Sequence, residues 1–239
     1  MMYLANLLPF LNNKDVRKKW VIKQLKDIPE NQSILDAGAG ECQYKKYCPH
    51  LIYTSQDFGQ YNGKGDEIGL QTKNWDNSKL DIVSDITKIP TSNNSFDNVM
   101  CIEVLEHIPY PEKAISEFSR ITKKGGNLIL TAPFCSQTHF APYHFCTGFN
   151  IYWFQEVLDK NNFQIISYKI NGNYFDYVNQ ELLRLPFIIK RYSFLGIFGF
   201  LLYLIILPLI FILHIISLIS NGSEKQLCFG YHILAKKKI

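Results

Sequence analysis

The chain has 239 residues, 47% of them hydrophobic, and a formal charge of +4. That length holds one full α/β domain with an appendage, and so small a charge argues against a nucleic-acid partner. Cys42, Cys48, Cys101, Cys135, Cys146 and Cys228 form no C-x-x-C pair and no disulfide framework, which places the chain in a reducing, cytoplasmic compartment.

Met1–Phe10 is apolar, but its positive charges follow it and no small-residue cleavage site ends it. A first helix that docks on the domain is expected there, not a signal peptide. Lys14, Arg17, Lys18 and Lys19 near the start, and Lys236, Lys237 and Lys238 at the end, read as solvated faces or as attraction to an anionic membrane. Helices are predicted at Asp15–Leu25, Glu41–Tyr47, Pro111–Thr122 and Asn150–Lys160. They alternate with predicted strands at Ser33–Asp36, Leu51–Gln56, Leu80–Ser84, Asp97–Ile102, Asn127–Ala132, Phe163–Ile170 and Gln226–Ala235. Such alternation is the pattern of a mainly parallel sheet.

Ile34-Leu35-Asp36-Ala37-Gly38-Ala39-Gly40 reads as a buried strand that ends on an acid and enters a glycine turn. Glycine lets a ligand approach the backbone closely. A dinucleotide fold wants a third glycine in G-x-G-x-x-G, and Gln43 stands in its place. Asp36, two residues before the first glycine, would repel a pyrophosphate and welcome an ammonium group. A nicotinamide-dependent enzyme is therefore disfavoured. Asp57 ends the second strand, where a carboxylate can accept both ribose hydroxyls. Asp85, in Ser84-Asp85-Ile86, can take an adenine amino proton while Ile86 packs on the ring. The fourth strand opens into Glu103-Val104-Leu105-Glu106-His107.

Between Tyr192 and Ser223 there is no Asp, Glu, Lys or Arg. Phe194–Ile219 as one straight helix would be about 39 Å long against a hydrocarbon core of about 30 Å. Positive charge flanks it on both sides, and Gly196, Gly199 and Pro208 offer break points. A re-entrant or monotopic insert is expected, associating with the membrane through residues 187–220. The predicted organisation is an N-terminal helical segment 1–28, a domain made of 29–175 and 224–239, and a hydrophobic helical insert 176–223.

Five blocks in order carry a family resemblance: I-L-D-A-G-A-G at 34–40, the acid at 57, S-D-I at 84–86, S-F-D-N-V-M-C-I-E-V-L-E-H-I at 95–108, and K-K-G-G-N-L-I-L-T-A-P at 123–133. The order resembles the class I S-adenosylmethionine-dependent methyltransferases, in particular the type-11 or ubiquinone-biosynthesis-like group. The resemblance implies a Rossmann-like, seven-stranded, mostly parallel sheet with an antiparallel last strand. It also implies roles. Asp36 with the backbone of Ala37, Gly38 and Gly40 would hold the methionine end of S-adenosyl-L-methionine. Asp57 would hold the ribose, with Phe58 beside the adenine; Asp85 and Ile86 would read the adenine, and Glu103 would line the cleft near the sulfonium.

Methyl transfer from a sulfonium is an in-line displacement, so a base is needed only for a protonated acceptor such as a hydroxyl. His139, His107 and His144 are the candidates, His139 first; a helix cap or packed loop residue is the other reading of each. Cys135, His139, His144 and Cys146 match no standard zinc spacing, and no metal is expected. The fourth strand leads into Ile102-Glu103-Val104-Leu105 where a base-modifying methyltransferase would carry N/D-P-P-Y/F, so a nucleic-acid substrate is disfavoured. The insert points to a lipid-like or lipid-linked acceptor, a glycan or quinone carrier. The competing reading is a non-catalytic member that binds cofactor or a partner.

Overall fold

The computed structural model describes residues 12–239, so the expected helix at Met1–Phe10 lies outside the described residues. Helix α1 (Asn13–Lys26) leads to strand β1 (Ser33–Ala37), followed by β2 (Ile52–Asp57), β3 (Ile82–Val83) and β4 (Phe96–Ile102). Helix α2 (Pro111–Ile121) starts with proline in its first turn, where no N–H is missed. Then come β5 (Thr122–Pro133), α3 (Ile151–Lys160), β6 (Phe163–Asn171), α4 (Tyr174–Tyr192), α5 (Tyr203–Ile219) and β7 (Gly230–Lys237).

The seven strands form one sheet in the order β3-β2-β1-β4-β5-β7-β6. β1 pairs in parallel with both β2 and β4, β4 pairs in parallel with β5, and β7 returns antiparallel to β5. This is a Rossmann-like sheet with a reversed seventh strand. Strand order changes direction beside β1, which puts a ligand crevice at the carboxyl ends of β1 and β4. β1 and β4 are covered on both faces, hence their nearly unbroken apolar sequence. Ile34, Met100 and Ile129 from the sheet pack with Val21 and Leu25 of α1 and with Tyr44 and Cys48.

Two local expectations are corrected. Glu41–Tyr47 is not an α-helix: the segment turns, and only Lys45–Tyr47 closes a 3₁₀ turn. Gly38, Gly40 and Cys42 hold φ of 76°, 53° and 57°, and a right-handed helix cannot propagate through that region. The third strand shrinks from Leu80–Ser84 to Ile82–Val83. There the Asp81 carboxylate accepts from the Ser55 N–H and hydroxyl at 2.8 and 2.7 Å, replacing ladder bonds with side-chain ones.

The chain divides into two compact units. One is Arg17–Lys169 with Gly230–Ile239, which holds most of the sheet; the other is the described residues up to Val16 with Ile170–Phe229. In the second unit α4 and α5 form a hairpin. Asn173 and Asp176 make a capping box at the start of α4. The Ser217 hydroxyl at the end of α5 donates to Asp176 at 2.7 Å, and the Asn173 amide donates to the Ser217 carbonyl at 3.1 Å. The expected break at Pro208 does not occur, because α5 runs through it and loses one backbone donor. Gly199 is also not a break: a Cβ there would meet Ile189 Cγ2 at 2.6 Å, so it permits close packing on α4. The interruption falls at Ser193–Leu195 and at the expected break point Gly196, whose φ is +50°, and a 3₁₀ turn (Gly196–Leu202) then joins α5.

Candidate active site

The carboxyl ends of β1, β2 and β4 carry the acids. Asp36 is 3% exposed and accepts from the Tyr53 hydroxyl at 2.6 Å. Burial pushes its carboxyl up to about 7; the Tyr53 hydrogen bond pulls against that and Asp57 adds to it. Asp57 is buried with each oxygen taking one backbone N–H, from Gly40 and Gly59, both at 3.0 Å. Each oxygen keeps a lone pair for another donor.

The glycine turn is tighter than its sequence suggests. The N–H groups of Gly38 and Ala39 both donate to the Gln56 carbonyl at 2.8 Å. With Gly40 N–H on Asp57, the donors of Gly38 and Gly40 expected to face the methionine end are already engaged. A Cβ on Gly38 would lie 2.5 Å from Val104 Cγ2, and one on Gly40 would lie 2.5 Å from Trp75 Cζ2. The close approach that glycine allows here is made by protein side chains.

Ile86 is buried and Phe58 stands edge-on to Tyr143 at 4.9 Å. Asp85 is exposed, and one of its oxygens accepts from the N–H and hydroxyl of Thr87, both at 2.8 Å. Glu103 has φ of 57°, a strained value for a residue with a side chain. Its carboxylate accepts from Arg17 at 2.8 Å and from the Thr131 hydroxyl at 2.9 Å. Arg17 therefore does not sit on a solvated basic face with its lysine neighbours; α1 carries it to the end of β4.

The three candidate histidines come together. Ring centroids of His107 and His139 are 4.6 Å apart, those of His139 and His144 4.7 Å, and those of His107 and His144 6.0 Å. His107 Nδ1 meets the Tyr143 carbonyl, His139 Nδ1 meets the Gln137 carbonyl at 2.8 Å, and His144 Nε2 meets Ser136 Oγ at 3.1 Å. Burial, and next the neighbouring His139, lower His107 to about 3. At neutral pH it is uncharged and a poor proton acceptor.

Sequence reasoning missed several residues here. Glu106 lies 1% exposed among the histidines, its carboxyl held well above the usual carboxylate range by burial and then by Glu103. Its place in the E-V-L-E-H run was the available signal. The loop between β2 and β3 was also unread. Leu70 N–H donates to the Thr138 carbonyl and Phe140 N–H returns to Leu70, at 3.1 and 2.9 Å. Phe140 stacks on Tyr61 at 4.7 Å and on His107 at 5.2 Å, and Trp75 stands edge-on to it at 5.5 Å. An aromatic layer thus joins the glycine turn to the histidine cluster.

Residues 35–130 match the family model described as a methyltransferase domain. An uncharacterized protein of Methanocaldococcus jannaschii is 35% identical over 97 residues, 39% of this chain and 41% of that protein. A demethylmenaquinone methyltransferase of Renibacterium salmoninarum is 40% identical over 62 residues, 26% of this chain and 25% of that enzyme. The matched stretches thus span less than half of either curated relative. Among solved structures, the YcgJ protein of Bacillus subtilis superposes with a TM-score of 0.54 at 14% identity, covering 94% of this chain and 98% of its own. Likeness at that identity shows a shared fold. Motifs, family match and fold agree on one point: residues 35–130 resemble a methyltransferase domain, set in a sheet of the matching fold.

Proposed function

We propose that this chain transfers a methyl group from S-adenosyl-L-methionine, at a membrane surface, to a lipid-like or lipid-linked acceptor such as a glycan or quinone carrier. The observation that carries the methyltransferase reading is the set Asp36, Asp57 and Glu103 at the ends of β1, β2 and β4 around the glycine turn. Asp36 takes the cofactor's ammonium, and the free lone pairs of Asp57 take the ribose hydroxyls. Phe58, Asp85 and Ile86 border the adenine. Glu103, held by Arg17 and Thr131, lines the cleft near the sulfonium. The displacement needs alignment and exclusion of water more than acid–base work. His139 is the group for receiving a proton from a hydroxyl acceptor, with His107 and His144 shaping its surroundings. This set of carboxylates supports catalysis over the competing reading of a non-catalytic binding protein.

The membrane part rests on α5 and the turn before it. Gly196–Ile219 is long and apolar enough to cross a membrane, and most of it is not buried. Support comes from Leu204 and Leu218, exposed by 78% and 71%, and from Lys190 and Arg191 in the last turn of α4, whose charges suit lipid headgroups. β6 and β7 are neighbours in one sheet, so the chain between them leaves and returns on the same side. That favours a monotopic insert over a single crossing. The Renibacterium relative is named for a quinone acceptor, which agrees with an amphiphilic substrate.

Two measurements on the full chain test this reading. Calorimetric titration should show binding of S-adenosylmethionine and none of NAD. The protein should float with phosphatidylcholine vesicles containing phosphatidylglycerol, and the Leu204→Asp/Leu218→Asp variant should stay in the soluble fraction with unchanged cofactor affinity. Equal flotation of both proteins, or of neither, contradicts the membrane role.

A further inference from the structure

We infer that Glu106, His107 and His139 form a binding site for one divalent first-row transition-metal ion beside the candidate active site. Nε2 of His107 lies 3.8 Å from Glu106 Oε1, and Nε2 of His139 lies 3.9 Å from the same oxygen. The three ligand atoms all fall within 4.8 Å of one another. These separations are too long for hydrogen bonds. Donors that share one zinc-sized ion at about 2.0–2.1 Å stand about 3.4 Å apart in tetrahedral geometry. The two separations from Glu106 exceed that by about half an ångström, and the two imidazole nitrogens, within 4.8 Å of each other, by up to about 1.4 Å, a gap that side-chain rotation closes.

The rings are already oriented for this. A carbonyl can only accept, so each Nδ1 that faces one must carry the proton. That leaves the Nε2 lone pairs of His107 and His139 directed at Glu106. Metal-ligating histidines are held in this way by a carbonyl behind the ring. Glu106 supplies the second, independent observation. It is 1% exposed, and among the described residues its Oε2 has no hydrogen-bond partner. Buried polar atoms are rarely left so. The nearby cation Arg17 is spent on Glu103.

The frame is fixed on two sides. Glu106 and His107 share the 3₁₀ turn Leu105–His107, and the Glu106 carbonyl accepts from the N–H groups of Phe145 and Cys146 at 2.9 and 3.1 Å. Two imidazoles and one carboxylate suit zinc, iron(II), cobalt(II) or manganese(II) better than magnesium or calcium. Three protein ligands leave room for a water or an acceptor oxygen, whose proton the ion would loosen. Binding of the ion is independent of cofactor binding, so those two readings stand or fall separately; an ion on His139 Nε2 would take over from that ring the loosening of an acceptor's proton.

The test uses the full chain after treatment with a chelator. Zn²⁺ titrated against a chromophoric chelator should bind one ion per chain with Kd below about 1 μM. Co²⁺ should give visible bands of nitrogen and oxygen coordination without thiolate charge transfer. His139→Asn and Glu106→Gln should each weaken Zn²⁺ by about 100-fold, and Cys135→Ser/Cys146→Ser should not. Circular dichroism and S-adenosylmethionine titration report folding of each variant. Absence of stoichiometric binding by the wild type, a thiolate band with Co²⁺, or loss only in the cysteine variant overturns the site. The Co²⁺ spectrum of the unaltered protein decides the matter even if a variant fails to fold. Loss of cofactor binding with Zn²⁺ binding intact would instead count against the methyltransferase reading.

Discussion

Asp36→Asn exchanges a carboxyl for a neutral amide of the same shape at a position 3% exposed. The carboxyl is raised from 3.8 to about 7 on folding, chiefly by burial. A raised acid costs nothing below its unfolded value, costs more as pH climbs toward 7, and costs a constant amount above that. At about 1.4 kcal/mol per unit, the shift sets an upper scale of about 4 kcal/mol at pH 8. The Tyr53 hydroxyl can still donate to the amide oxygen, but the new NH₂ lacks an acceptor, which costs about 1–3 kcal/mol. The variant should therefore be more stable than the wild type by about 1–3 kcal/mol at pH 8, and no more stable at pH 4. Cofactor affinity should move the other way. A charged hydrogen bond to the ammonium is worth about 1.5–3 kcal/mol, so binding should weaken by about 10- to 150-fold. Urea unfolding at both pH values and calorimetric titration with S-adenosylmethionine read the two effects. A variant that loses stability at pH 8, or binds the cofactor as tightly as the wild type, refutes the role given to Asp36.

In the wild type, affinity for S-adenosylmethionine should rise by about tenfold per pH unit below 7 and level off above it, with a proton released on binding near pH 6; a flat profile in buffers of differing ionisation enthalpy contradicts this. Gly38→Ala should cost about 1–3 kcal/mol in thermal unfolding, because φ is +76° and the new methyl lies 2.5 Å from Val104. Adding Val104→Ala should recover the contact part of that loss but not the backbone part, and full recovery would deny the strain. For the half-buried Arg17–Glu103 pair at 2.8 Å, a double-mutant cycle with Arg17→Met and Glu103→Gln should give a coupling of about 1–2 kcal/mol. A coupling near zero would mean that Arg17 does not position Glu103.

How much of this was legible depended on the range of each interaction. Strands β1, β4 and β5 were readable because burial on both faces forces a continuous apolar run, visible in Ile34-Leu35 and Val99-Met100-Cys101-Ile102. The Pro111 helix was readable because its start signal is local. The Glu41 segment misled because its composition suits a helix, while the positive φ at Cys42 comes from its place in a turn held by Gln56 and Asp57. Asp36, Asp57 and Glu103 could be picked out since each ends a strand and so shares one edge of the sheet. The reach of Arg17 across 86 positions to Glu103 has no local trace. Nor has the meeting of Glu106 with His139, which depends on how the loop after β5 folds back over the turn after β4. Tyr61, Trp75 and Phe140 likewise lie in irregular segments whose contacts are set by tertiary packing.

The most direct test is transfer of labelled methyl from S-adenosylmethionine by the full chain added to a membrane extract. Label should appear in an organic-soluble product, and the Asp36→Asn protein should yield far less of it at subsaturating cofactor. A wild-type chain that binds the cofactor tightly but moves no label into any fraction would contradict the proposed activity.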